Sequence, residues 1–408
     1  MKTRTVLLLA TLTAGMSLLW CCVDPSSRST PPLASRPAPA HNQVSSTATA
    51  AASSPAQPAA AQPIVLTKPP ILGPVGPSIV VLADRITEPE IRVRLTDEQD
   101  RPPAIARGLY RGRIENLHLA DGKYVAINFL PLDSYLQGVL AKEILGSWEP
   151  ATYRAQAVAA RTFALFEMLT DGRNRQWDVN NDESSQVYGG IKGESAKALA
   201  AVAATRGQVL MTALQGKMGI FCSRYSSCIG GASQDPSDAW GDPSIGPLAA
   251  HFTGNVDDNS PRYNWDREFT VTRADLTRCI QNWGTRNDFS YLRGLGTISS
   301  VIIAKRSPTT GRPAELLLTD SAGISAPIRA EEFRLALMGD PLGKAPKPYS
   351  SNCDIRQQGD NFVLYNGHGF GHGIGMSQYG AQKLATQGKS HLDILTFFYP
   401  GAELRQLW

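Results

Sequence analysis

Several familiar signatures are missing from this chain. It has no nucleophile elbow, no Ser-His-Asp spacing, no HExxH and no CxxC pair, which removes the common serine-hydrolase, zinc-peptidase and zinc-ribbon readings. Basic and acidic residues nearly balance, 40 against 36 for a net charge of +4, and no basic stripe stands out. That excludes an electrostatic case for nucleic acid. No internal repeat occurs. The N-terminal apolar run, residues 6–20, is shorter than the roughly 20 residues a membrane span needs.

What the first residues do contain is an export signal. Lys2 and Arg4 precede that apolar run, an n-region followed by an h-region. Cys21 and Cys22 come next. A cysteine here either takes a lipid, making Cys22 the one membrane attachment, or the leader is cut and the chain released. Residues 1–22 are therefore read as a signal segment. Residues 23–75 are dense in Pro, Ala, Ser and Thr with few charges, too poor in apolar surface to offset ordering entropy, and read as a disordered linker. The expected location is the periplasm or cell envelope.

From residue 76 the composition supports a real core. Residues 79–130 alternate in short β runs, such as Ile91-Arg92-Val93-Arg94-Leu95, with a turn at Asp121-Gly122. After Asp133 the period becomes helical: Tyr135, Leu136, Val139, Leu140, Glu143 and Ile144 share one face, with Asp133 or Ser134 as the expected cap. Pro150 opens a second, alanine-rich helix to about residue 170. A third covers about 194–205, and strands resume at 208–211. Residues 254–345 mix helices and strands and form a candidate second lobe within a 76–408 domain. Two short helices, 378–386 and 392–399, close the chain. Strands and helices without strict alternation predict an α+β fold.

Three constellations carry chemical meaning. Glu143 lies on the apolar face of its helix, where burial disfavours the charged form and lifts a carboxyl toward the range of a general acid. The alternative is a salt-bridged or solvated helix-end glutamate. Arg161 also lies on an apolar face and needs an anionic or carbonyl partner, either substrate or a structural carboxylate. Glycine stands at every second position from 367 to 375. In an extended segment this gives a bare face for a close backbone or a flat ligand such as a sugar, with His368 and His372 opposite. Tyr225 and Ser226, in the CSRYSSCIGG run, line a polar site or a bland turn. The mature chain's cysteines, Cys222, Cys228, Cys279 and Cys353, permit two disulfides in an oxidising compartment.

Together these segments resemble one family. Gly138-Val139-Leu140-Ala141-Lys142-Glu143, the following AQAVAART stretch with Gln156 and Arg161, Gln186-Val187-Tyr188, Thr205-Arg206-Gly207, Tyr225-Ser226-Ser227-Cys228, and the closing HGFGHGIGMSQYGA with Ser377 and Gln378 are similar to the stage II sporulation protein D family in order and spacing.

The resemblance implies a peptidoglycan lytic transglycosylase acting on peptide-stripped glycan strands beside a cell-wall amidase. Glu143 is the implied catalytic acid. Gln156, Arg161, Tyr188, Tyr225, Ser226, His368, His372, Ser377 and Gln378 are the candidate substrate contacts. Some relatives hold zinc through Cys and His just before the QVY motif. Here residues 178–185 contain neither, so no cofactor is expected, although Asp178, Asn180 and Asp182 offer oxygen ligands. A non-catalytic glycan-binding enhancer of an amidase is the rival implication, and a purely structural wall anchor a third. The converging motifs also suggest a Cys228–Cys353 disulfide, with Cys222–Cys228 the competitor.

Overall fold

The computed structural model describes residues 78–408 and the two-residue strand Ile64–Val65. The signal segment, Cys22 and, apart from that strand, the linker lie outside the described residues. No described helix is long and apolar enough to cross a membrane. The fold is mixed α+β with several small sheets.

The first sheet runs Arg113–His118, Tyr124–Pro131, Glu90–Arg94, Val179–Asn180 across its width. The first two contacts are antiparallel and the last is parallel. Period-two alternation buries Ile91 and Val93 completely, while Arg92 and Arg94 stay half-exposed. Helix α1 (Leu132–Glu143) leaves the end of the second strand directly. Tyr135, Leu136, Val139 and Leu140 are fully buried along its inner face. Each such side chain contributes about 1.5–3 kcal/mol of transfer free energy.

The expected cap is not realised. The helix begins at Leu132, and its N-cap, Pro131, makes no side-chain capping bond. The Asp133 carboxyl is drawn instead to Arg161 and the Trp408 indole. At the other end Ile144 is extended, so Glu143 is the last helical residue.

Helix α2 (Pro150–Leu169) starts with proline at its first position and is buried on most sides. Ala157, Ala160 and Ala164 face one core with α1, while Ala155, Val158 and Ala159 face another with Phe398 and Tyr399. Small side chains are what let one helix sit between two packed layers. A further core collects Val271, Leu276, Ile298, Leu318, Phe333 and Phe362. It lies between helices Arg273–Arg286 and Ala330–Met338 and the strands of that region. Strand Ile64–Val65 adds there in parallel to Ile324–Arg329.

Two expectations change. The glycine-rich stretch is not an extended strand with one bare face, because Gly369, Gly371, Gly373 and Gly375 all have positive φ. A Cβ on Gly375 would lie 2.0 Å from the Arg224 carbonyl, and one on Gly369 would lie 2.8 Å from the carbonyls of Cys228 and Ile229. The close approach at these two positions is therefore by the protein's own backbone. Nor is either disulfide formed: Cys222, Cys228, Cys279 and Cys353 are free thiols. Cys228 turns its sulfur toward Asp257, while Cys279 and Cys353 belong to the Phe333 core. Burial pushes the thiols of Cys222, Cys279 and Cys353 up to about 12, which holds them in the neutral form near pH 7.

Candidate functional site

Glu143 is half-buried at the C-terminal end of α1. Its Oε1 accepts the Val187 backbone N–H at 3.0 Å, and Gln378 Nε2 makes a long bond to Oε2 at 3.5 Å. Burial pushes its pKa up to about 7, opposed by those two donors and reinforced by the nearby charge of Glu183. The negative end of the α1 dipole acts in the same direction as burial. Such a carboxyl is poised to give and take a proton near neutrality.

Around it lies a polar floor. Gln186 is fully packed: its Oε1 accepts from Tyr135 Oη at 3.2 Å, and its Nε2 donates to Tyr225 Oη at 2.9 Å and to the Ala160 carbonyl. Both phenols feel the Glu143 charge, after burial the next cause of their raised pKa values. Gln156 is completely buried, and neither end of its amide has a partner. It is one turn from Thr152, which donates to Gln382, and one turn from Ala160. Helical spacing puts it on the same face of α2 as those two residues.

The remaining predicted contacts separate. Ser226 lies opposite Ser377 in a two-residue parallel ladder that joins Tyr225–Ser226 to Met376–Ser377. Ser377 caps the helix Gln378–Thr386 and donates to Asp257 Oδ2 at 2.9 Å. His372 accepts the Ile374 N–H on Nδ1 and makes a backbone bond to Tyr225. With burial, and then Arg224, Arg334 and Arg312 nearby, its pKa falls to about 3. It is a neutral strut for the Tyr225 strand. His368 contacts Asn264 Oδ1 at 2.8 Å. Tyr188 is buried, bonded to Asn128 Oδ1 at 3.0 Å and packed on Tyr135. Arg161, fully buried, places Nε and Nη2 each 2.7 Å from Asp133 Oδ1 and donates to the Gln208 carbonyl. Its anion is a structural one.

Gln186, Tyr135, Asp257 and the Val187 amide were not among the expected site residues. Gln186 was visible inside the QVY motif. A backbone N–H carries no side-chain signature, and Asp257 sits in a featureless Gly254–Asp257 turn.

The zinc site of some relatives does not fit these residues. Arg92 takes both oxygens of Asp178, and Asp182 caps Ser184. Among the described residues no three His, Cys, Asp or Glu gather around a common centre.

Residues 120–211, which carry Glu143, Gln156, Arg161 and Gln186, match the family described as Stage II sporulation protein, SpoIID. The chain is 27% identical over 307 residues to a Bacillus subtilis protein named Amidase enhancer, spanning 66% of this chain and 40% of that one. It is 25% identical over 295 residues to Stage II sporulation protein D of Bacillus amyloliquefaciens, 69% of this chain and 76% of the relative. It is 26% identical over 283 residues to an uncharacterized protein of Brachyspira hyodysenteriae, 69% and 68% of the two chains. Over residues 120–211 the chain is similar to the stage II sporulation protein D family, and relatives bearing that name match it at about a quarter identity. It spans less than half of the amidase enhancer.

Proposed function

We propose that the protein is an exported peptidoglycan lytic transglycosylase in which Glu143 acts first as acid and then as base. The observation that carries this is the half-buried Glu143 carboxyl, held near pH 7 between the Val187 amide and Gln378. Protonated Glu143 gives its proton to the oxygen linking N-acetylmuramic acid to N-acetylglucosamine, and that bond breaks. The resulting carboxylate takes the proton of the muramic acid C6 hydroxyl as its oxygen bonds to C1. The proton returns to Glu143, no water is consumed, and a 1,6-anhydro end forms. One carboxyl suffices, unlike the two of hydrolytic glycosidases.

Gln378, which donates to the acid, and Tyr225, which feels its charge, supply the substrate contacts in this reading, with Gln156 as a further candidate. The expected substrate is a peptide-stripped glycan strand in the cell envelope. The test is mass spectrometry of purified strands incubated with the protein. Anhydromuramoyl ends support the proposal, and reducing ends would make it a hydrolase. The second reading, a non-catalytic enhancer of a cell-wall amidase, is favoured by the name of the Bacillus subtilis relative. Intact glycan together with a stimulated amidase would select it.

A further inference from the structure

Asp257 belongs to no motif above, yet it is among the most enclosed polar residues of the fold, with no exposed surface. One oxygen, Oδ2, gathers four donors: Ile229 N at 2.6 Å, Gly230 N at 3.1 Å, Ser377 Oγ at 2.9 Å and Cys228 Sγ at 3.3 Å. The other oxygen, Oδ1, has no partner. A buried carboxyl with this donor set is costly to lose, because each donor would be left unpaired.

The four donors come from two segments that must meet. Ile229 and Gly230 follow the Tyr225–Ser226 strand, and Ser377 begins the helix that carries Gln378. Ser377 uses both sides of its hydroxyl. The O–H donates to Asp257, and the oxygen accepts Gly380 N–H at 3.1 Å as the helix cap. The first turn of that helix is thus oriented from Asp257. Its turn is tied to the same helix again, by Lys383 Nζ to the Asn255 carbonyl at 2.6 Å and to Asp258. The next residue after Ser377 is Gln378, whose amide reaches Glu143.

We infer that Asp257 is a positioning residue for the Glu143 site: through Ser377 it fixes the Gln378 helix so that the Gln378 amide donates to the Glu143 carboxyl. This deepens the proposed function and rests on it only in taking Glu143 as the working acid. The groups facing Glu143 are Val187 N–H and Gln378 as donors, with Glu183, Tyr135 and Tyr225 as its titratable neighbours. Asp257 touches none of them directly, so its influence runs through one residue pair.

That route is testable by titrating the Glu143 carboxyl itself, with isotope-edited infrared or carbon NMR on the whole protein. The readout works whether or not the protein cuts glycan, so failure of the transglycosylase reading and failure of this inference are separate results. Gln378→Leu removes a donor that favours the carboxylate and is expected to raise the Glu143 pKa by roughly 0.5–1 unit, the equivalent of one hydrogen bond. Asp257→Asn and Ser377→Ala are expected to give a rise of the same sign. In the Gln378→Leu background neither is expected to add to it, the non-additivity of residues acting in series. Ser377→Ala keeps every other bond of Asp257 and remains informative if Asp257→Asn fails to fold. A lower melting temperature with an unmoved Glu143 titration in Ser377→Ala would overturn the inference. So would shifts that simply add in the double variants.

Discussion

The backbone N–H of Val187 donates to Oε1 of Glu143 at 3.0 Å across 44 residues of sequence. This one bond fixes the carboxyl of α1 against the loop that also supplies Gln186. It leaves Oε2 to a single long contact from Gln378, so the second oxygen is the one a substrate proton can use.

Glu143→Gln keeps the shape and the Val187 bond but cannot exchange a proton. Formation of anhydromuramoyl ends is expected to fall by roughly 10²–10⁴-fold, with strand binding retained. Quantitative chromatography of the glycan products measures the first, and a pull-down on insoluble glycan the second. Full activity in the variant would remove Glu143 from the mechanism.

The same residue makes a stability prediction. Its folded pKa, about 7, lies above the ordinary 4.5, so the folded state holds a proton that the unfolded state has released. Glu143 therefore subtracts stability as pH rises from about 4.5 to 7, and the loss is complete above that window. Relative to wild type, Glu143→Gln is expected to gain on the order of 1–2 kcal/mol between those limits, after allowance for partial exposure. Urea unfolding at several pH values checks it. A difference between the two proteins that does not change with pH contradicts the burial account.

His372 acts with the opposite slope. Its folded pKa, about 3, is below the ordinary 6.5, so the unfolded chain takes up a proton first and stability is lost as pH falls below 6.5. Nitrogen-detected NMR is expected to show one neutral tautomer, with Nδ1 the acceptor, throughout pH 5–8. A ring titrating near 6 would mean the strut is open to water.

Arg161→Ala is expected to lower stability by about 3–5 kcal/mol, since it strands a largely buried Asp133. Thermal unfolding reads this directly. If the variant keeps wild-type stability while losing glycan binding, Arg161 serves substrate after all.

Mapping of peptides alkylated before reduction is expected to find Cys222, Cys228, Cys279 and Cys353 all as thiols. In the native protein Cys228, Cys279 and Cys353 should resist the reagent, being buried. Any linked pair of peptides would restore a disulfide reading.

The sequence made the helices legible because their apolar stripes are long. The Gln378–Thr386 helix was placed residue for residue. Glu143 was legible for the same reason: a carboxylate on an apolar stripe is conspicuous. The glycine segment misled because alternation suits two geometries, a bare-faced strand and a chain with every second residue left-handed. Only the second lets the Arg224 and Cys228 carbonyls approach. Arg161 was equally ambiguous, since sequence shows that a buried cation needs an anion but not which one. Asp257 left no trace, because what distinguishes it is four donors brought from two distant segments.

The Tyr225–Ser226 and Met376–Ser377 ladder ties residues some 150 positions apart, and the Gln378 contact to Glu143 spans 235. The contact between α1 and α2 does not itself involve residue 378. A partly made chain thus holds the acid without the amide that completes its setting. The site is complete only when the late Gln378 segment has docked against the helices that bear the carboxyl, a contact of very long sequence separation.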